Sequence, residues 1–252
     1  MPPSGLAILI GAGPTSGAGI CRILAHPSHG NLAVAVLARN SDNLNAVAKG
    51  IRSSTPNPVE AFPTDTSPEK LSKAFSDIRS HSSFKGLKLK VAVFHVKHAS
   101  KKPFLEESHS DFTESLNTYV GGAMAFSKEV VRMLFDQHGQ TLLADGGGKK
   151  GTLIFTGTLG AMRTNANFAA YGASRSGARS LAQALAKEYS PSGIHVVHTI
   201  ANGGIKDEDG EAQHQGKVMK AESVGKTYLW LANQEPDLWT HELDLRPAQE
   251  KF

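Results

Sequence analysis

Short apolar and β-branched runs punctuate the chain at Leu6–Ile10, Leu32–Leu37, Val59–Phe62, Val91–Phe94, Thr152–Phe155, Ile194–Thr199 and Leu243–Leu245. Between them lie longer stretches whose apolar residues recur every three to four positions, the spacing that lines one face of a helix. Strands alternating with amphipathic helices predict βαβ units around a parallel sheet. The expected fold class is α/β, a doubly wound parallel sheet of about seven strands with helices on both faces, since parallel crossovers close right-handed. Asp42 is placed to cap a helix running through Ile51, and Ser67-Pro68-Glu69 opens another with proline in the tolerated first turn. Phe104 to Phe135 reads as helical for most of its length, and Ala169 to Tyr189 as an amphipathic helix stopped by Ser190-Pro191-Ser192-Gly193. Gln137 to Gly151, with glycine at 146, 147 and 148, reads as a surface loop entering a strand. A sheet of this kind takes its ligand in a crevice beyond the carboxyl ends of its strands.

Composition narrows the class. A length of 252 residues suits one α/β domain spanning 1–252 and can bury a sizeable core. The apolar runs are strand-sized, well short of the roughly 20 residues a membrane helix needs, so no membrane partner is expected. Leu6–Ile10 has neither a basic flank nor a small-residue cleavage site behind it, which excludes a signal peptide and leaves the cytoplasm as the default location. The net charge of +4 is spread along the chain with no basic run or helix face, and no nucleic-acid partner is expected. Cys21 is the single cysteine, which excludes an internal disulfide framework and suits a small core residue.

The strongest motif is Gly11-Ala12-Gly13-Pro14-Thr15-Ser16-Gly17-Ala18-Gly19, directly after the first strand and opening the first helix. Glycines there let backbone approach a diphosphate, and the helix N-terminus offers it amide hydrogens and partial positive charge; a plain tight turn is the competing account. Gly13-x3-Gly17-x-Gly19 resembles the cofactor turn of the short-chain dehydrogenase/reductase family, whose members are Rossmann-type domains. The second strand ends Leu37-Ala38-Arg39-Asn40, where NAD-preferring domains commonly place an acid against the ribose 2′-hydroxyl. Arg39 stands there instead and can pair with a 2′-phosphate, which points to NADP(H), unless it is simply a solvated strand-end arginine. Asp65-Thr66 resembles the family's adenine-binding acidic position, with a helix-capping Asp65 as the alternative.

Tyr171-Gly172-Ala173-Ser174-Arg175 resembles the family's catalytic helix, and the spacing of four puts Tyr171 and Arg175 on one helix face. The resemblance implies that Tyr171 is the general acid. The family normally carries lysine four residues later; Arg175 keeps the charge but does not release a proton near neutrality. Thr158, thirteen residues before Tyr171, matches the family's carbonyl-orienting serine and keeps its hydroxyl. Alignment on Gly122 places Tyr119 where the family has asparagine. The family's Asn-Asn-Ala-Gly run is replaced by His95-Val96-Lys97-His98-Ala99; His95 is expected to cover the adenosine ribose and adenine, or else to be structural. No third residue joins His95 and His98 at recognisable spacing, so no metal is expected. Asn202-Gly203-Gly204-Ile205 stands where the family turns over the nicotinamide, which makes Ile205 a cofactor contact by resemblance. Ile194–Val197 and the segment from Trp239 to Pro247 resemble its last two strands. Tyr228, Trp230 and Trp239 read as core or subunit-contact aromatics.

The resemblance implies an NADPH-dependent oxidoreductase acting on a carbonyl or imine of a small-molecule substrate, and association as a homodimer or homotetramer. The altered positions keep two alternatives open: a redox-neutral isomerase, lyase or cyclase, and a non-catalytic NADP(H)-binding protein. Leu159–Asn167 and Lys206–Lys220 would set substrate identity and carry no readable pattern.

Overall fold

Alternating in-out positions along β1 (Leu6–Ile10) set the plan of the molecule. In the computed structural model, which describes residues 2–250, Leu6, Ile8 and Ile10 join one apolar core while Ala7 and Leu9 join the other. That is the two-residue period of a strand buried on both faces. Among the described residues, β1 is followed by α1 (Ser16–Ala25), β2 (Ala33–Ala38), α2 (Ser41–Arg52), β3 (Val59–Pro63), α3 (Pro68–Ser80) and β4 (Leu89–Phe94). Then come α4 (His109–Leu116), α5 (Gly122–His138), β5 (Gly151–Gly157), α6 (Ala169–Tyr189), β6 (Ile194–Ala201), β7 (Ile205–Lys206), α7 (Glu211–His214), β8 (Met219–Lys220), α8 (Ala221–Ala232) and β9 (Glu242–Leu245).

Seven strands form one parallel sheet in the order β3-β2-β1-β4-β5-β6-β9, and β7 pairs with β8 apart from it. Helices α3, α5 and α6 cover one face, and α1, α2 and α8 the other. Phe75, Phe94, Phe126 and Phe155 meet in the first core with ring centroids 5.6 to 6.2 Å apart. Burial of each contributes roughly 1.5–3 kcal/mol and each ring pair about 0.5–1.5 kcal/mol more. Ala178, Ala182 and Ala186, four residues apart, give α6 a slim buried stripe facing the sheet. Cys21 lies in the second core, where burial pushes its thiol up to about 12.

Strand order reverses at β1, which leaves for β2 on one side and later meets β4 on the other. A crevice therefore opens beyond the carboxyl ends of β1 and β4, where α1 begins.

One local expectation changes and two gain detail. Asn40, not Asp42, caps α2, because its side chain accepts from the Asn43 amide at 2.8 Å; Asp42 falls in the first turn, still favourable beside the helix dipole. Helix α3 opens at Pro68 as its pattern marks, and the Asp65 carboxylate accepts from the Ser67 amide at 3.0 Å. The helical stretch from Phe104 is divided into a short 3-10 turn at Phe104–Glu106, α4, a π-helical turn at Asn117–Gly121, and α5. Ser108 starts α4 by accepting from the Asp111 amide at 3.1 Å. The wider π turn holds Tyr119, and such turns occur often at functional sites.

Candidate active site

The turn after β1 is shaped by steric necessity. Gly11 has φ +89°, and a Cβ there would lie 2.3 Å from the His95 carbonyl oxygen, so only glycine fits. A Cβ at Gly19 would meet that of Ala221 at 2.4 Å, which is how closely α1 packs on α8. At Gly17 it would come within 2.9 Å of Ala12 Cα, whereas around Gly13 nothing lies within 4 Å and the backbone is open to a ligand. No side chain caps α1 at Thr15; the Ala18 and Gly19 amides bond the Gly13 and Thr15 carbonyls, and those of Ser16 and Gly17 keep the capacity to bind an anion.

A cleft of about 760 Å³ continues from this turn. Gly11, Gly13, Arg39, Asn43, Asp65 and Thr66 form part of its wall. Arg39 is exposed at the end of β2. Asp65 borders the cleft, and it also caps α3 while pairing with Lys70 at 2.6 Å. The bonds from Lys70 and Ser67 hold its carboxyl down at about 2. Of the two readings of His95, the structure places the ring as the structural one has it and not on the adenosine wall. Its ring points inward between Ser16 Oγ at 2.7 Å and Thr156 Oγ1 at 2.9 Å, and Val96, Lys97 and His98 line the cleft in its stead. Two hydroxyls within reach of both ring nitrogens explain the turn inward; burial, then the Lys97 charge, keeps the imidazole down at about 4.

Tyr171 and Thr158 converge beyond the ends of β5 and α6. Their hydroxyl oxygens are 2.6 Å apart, a bond made possible because Thr158 directly follows β5 and Tyr171 sits in the first turn of α6. Arg175, buried one turn along, places its guanidinium carbon 4.4 Å from the Tyr171 ring centroid and 3.6 Å from that of Tyr119. Its Nη1 donates to the His98 carbonyl at 3.0 Å and to Ser174 Oγ at 3.2 Å. Its buried Nε has no hydrogen-bond partner among the described residues. Such a donor is costly to leave unpaired and fits a ligand hydroxyl.

Tyr119 is a platform for Arg175, with its hydroxyl donating to the Thr156 carbonyl at 2.9 Å. Burial pushes that phenol up to about 12. Lys101, in the loop after β4, was not found from the sequence: its Nζ stands 4.5 Å from the Tyr171 centroid and 4.6 Å from that of Phe168. No spacing rule joins a loop lysine to a helix seventy residues on. Two cations therefore face the ring of Tyr171. Asn202 accepts from the Leu159 amide at 3.3 Å and donates to Glu250 at 2.6 Å, while Ile205 begins β7 and packs on the second core. A second cleft, about 630 Å³ between α8 and the end of β9, contains none of these residues.

The open turn at Gly13 and the amides that open α1 fit a dinucleotide diphosphate at the head of the cleft. A crevice at a strand-order reversal, headed by a glycine turn that opens a helix, defines a Rossmann-type nucleotide-binding fold. The sequence model of short chain dehydrogenases matches residues 6–216. The chain belongs to that family of nicotinamide-dependent enzymes. No curated protein matches the chain in sequence. Among solved structures it is similar to a short-chain dehydrogenase from Rhodopseudomonas palustris, with 24% identity, 98% of this chain and 100% of that one covered, and a TM-score of 0.78. It is also similar to L-sorbose reductase from Gluconobacter frateurii complexed with NADPH and L-sorbose (15% identity, 98% and 97% covered, TM-score 0.80). An alcohol dehydrogenase from Thermococcus sibiricus complexed with 5-hydroxy-NADP is similar too (18% identity, 98% of both chains, TM-score 0.78). At such identities these likenesses speak for the fold.

Proposed function

We propose that the protein is an NADPH-dependent reductase acting on a carbonyl or imine of a small organic molecule. The observation that carries this reading is the 2.6 Å pair of Thr158 and Tyr171 hydroxyls beside a buried guanidinium. The bound dinucleotide would supply the hydride. Arg39 receives the 2′-phosphate, Asp65 and Thr66 border the adenine, the amides opening α1 hold the diphosphate, and Arg175 Nε bonds a ribose hydroxyl. The Thr158 hydroxyl orients the substrate oxygen while Tyr171 donates its proton to it. The charges of Arg175 and Lys101 then stabilise the phenolate left behind. Because Arg175 keeps its protons, Tyr171 must be reprotonated from solvent rather than through its neighbour. Hydride addition to an iminium carbon gives a neutral amine directly, so such a substrate needs no proton donor and would make that loss harmless.

The non-exchanging Arg175 also favours a second reading, a redox-neutral isomerase, lyase or cyclase on the same scaffold. Loss of NADPH absorbance at 340 nm over a carbonyl and imine panel supports the first reading; conversion of substrate without any nucleotide supports the second. We expect the protein to work in the cytoplasm, and as a homodimer or homotetramer; exposed Phe104, Met124, Trp230 and Leu238 offer apolar contact area, and light scattering measures the outcome.

A further inference from the structure

His95 belongs to a chain of hydrogen bonds that crosses the sheet. Ser16 Oγ lies 2.7 Å from its Nε2, and Thr156 Oγ1 lies 2.9 Å from its Nδ1. Thr156 Oγ1 continues to the Tyr228 hydroxyl at 2.8 Å, which continues to Thr199 Oγ1 at 2.8 Å. Thr199 Oγ1 reaches the Phe155 carbonyl at 3.3 Å. The chain thus runs from the first residue of α1 past the end of β4 to β5, α8 and β6, and returns to β5.

Each hydroxyl has one proton to give, and a neutral imidazole has one donor and one acceptor nitrogen. Two arrangements are decisive, because a proton on Nδ1 makes Ser16 donate to Nε2, whereas a proton on Nε2 fixes the direction of every other internal bond. In one, Ser16 donates to Nε2, Nδ1 donates to Thr156, and the series ends with Thr199 donating to Phe155. In the other every bond reverses: Thr199 donates to Tyr228, Tyr228 to Thr156, Thr156 to Nδ1, and Nε2 to Ser16. The Ser16 proton is then free to leave the chain at the mouth of α1. The exchange sacrifices only the long 3.3 Å terminal bond. Burial keeps His95 neutral to about pH 4, so the ring retains this two-way character at ordinary pH.

We propose that His95 is a positioning residue that changes tautomer when a dinucleotide arrives, turning the Ser16 hydroxyl outward as a donor to the diphosphate. An anion beside Ser16 opposes the first arrangement, which presents it only oxygen lone pairs, and rewards the second with a charge-assisted hydrogen bond. The inference rests on the reading that the glycine turn holds a dinucleotide.

Protein labelled with nitrogen-15 in histidine, titrated with ADP-ribose, tests it; this probe has the diphosphate but neither nicotinamide nor 2′-phosphate. The expected result is a proton on Nδ1 of His95 in free protein and on Nε2 at saturation. Ser16→Ala and His95→Phe should each weaken ADP-ribose binding about tenfold, the low end for a bond to a charged group. The double variant should bind no worse than Ser16→Ala, whereas a packing defect from His95→Phe would persist in that background. His95→Gln replaces His95→Phe should the latter fail to fold. ADP-ribose binding with an unchanged tautomer overturns this inference and leaves the cofactor reading standing. Uptake of neither ADP-ribose nor NADP⁺ by wild-type protein overturns both.

Discussion

Replacing Arg39 with alanine isolates the choice between the two nicotinamide cofactors. The guanidinium is exposed on the cleft wall at the end of β2, with no acid beside it to receive a ribose hydroxyl. A 2′-phosphate there can accept two parallel N–H bonds from the planar fork. Charge-assisted bonds are worth about 1.5–3 kcal/mol each when sheltered, and solvent exposure brings the pair down to roughly 1.5–2 kcal/mol in total. Arg39→Ala should therefore raise the Kd for NADPH roughly 10- to 30-fold and leave that for NADH within about twofold. Arg39→Lys should fall between, since it keeps the charge and loses the fork. Calorimetric titration of both nucleotides at two salt concentrations is the assay. Added salt should shrink the NADPH advantage of wild-type protein and have little effect on the alanine variant. An Arg39→Ala protein that still prefers NADPH by the wild-type ratio would refute the assignment of Arg39 to the 2′-phosphate.

Thr158→Val preserves shape and removes one donor, so kcat should drop about 10²–10³-fold with the Kd for NADPH unchanged, while Thr158→Ser stays active; steady-state kinetics decide. Tyr171→Phe should cost at least about 10²-fold in kcat, and undiminished turnover would end its role as proton donor. Gly11→Ala combines a strained positive φ with a 2.3 Å clash against the His95 carbonyl, costing roughly 2–6 kcal/mol and lowering Tm by at least about 5 °C in calorimetry. Acid should begin to destabilise the fold at a pH above the range in which most carboxylates titrate. His95 and His195 are both held down at about 4, His195 by burial against Trp239. The unfolded chain takes up these protons near pH 6.5 and the folded one does not, so stability present above pH 6.5 declines toward pH 4, by on the order of 3 kcal/mol per histidine. Urea unfolding at pH 7 and pH 4.5 measures this; equal midpoints would show that neither histidine is neutral in the fold.

The alternation of apolar runs with helical periodicities was sufficient to expect the parallel sheet, and α6 begins and ends at the residues its pattern marks. These are local properties: a strand buried on both faces, a glycine required by a positive φ, a phenol and a cation one helical turn apart. Each depends on residues near one another in the chain. The inward turn of His95, the stacking of Arg175 on Tyr119 and the approach of Lys101 to Tyr171 join residues from different elements. Even the capping of α2 by Asn40 instead of Asp42 followed from where β2 stops and the chain bends. What the amino-acid order determined alone was which segments pair and pack, and which chemistry each carries. Strand order, register and helix docking decided which of those groups meet, because a bond of 2.6 Å between Thr158 and Tyr171 exists only where β5 and α6 deliver both ends to one point.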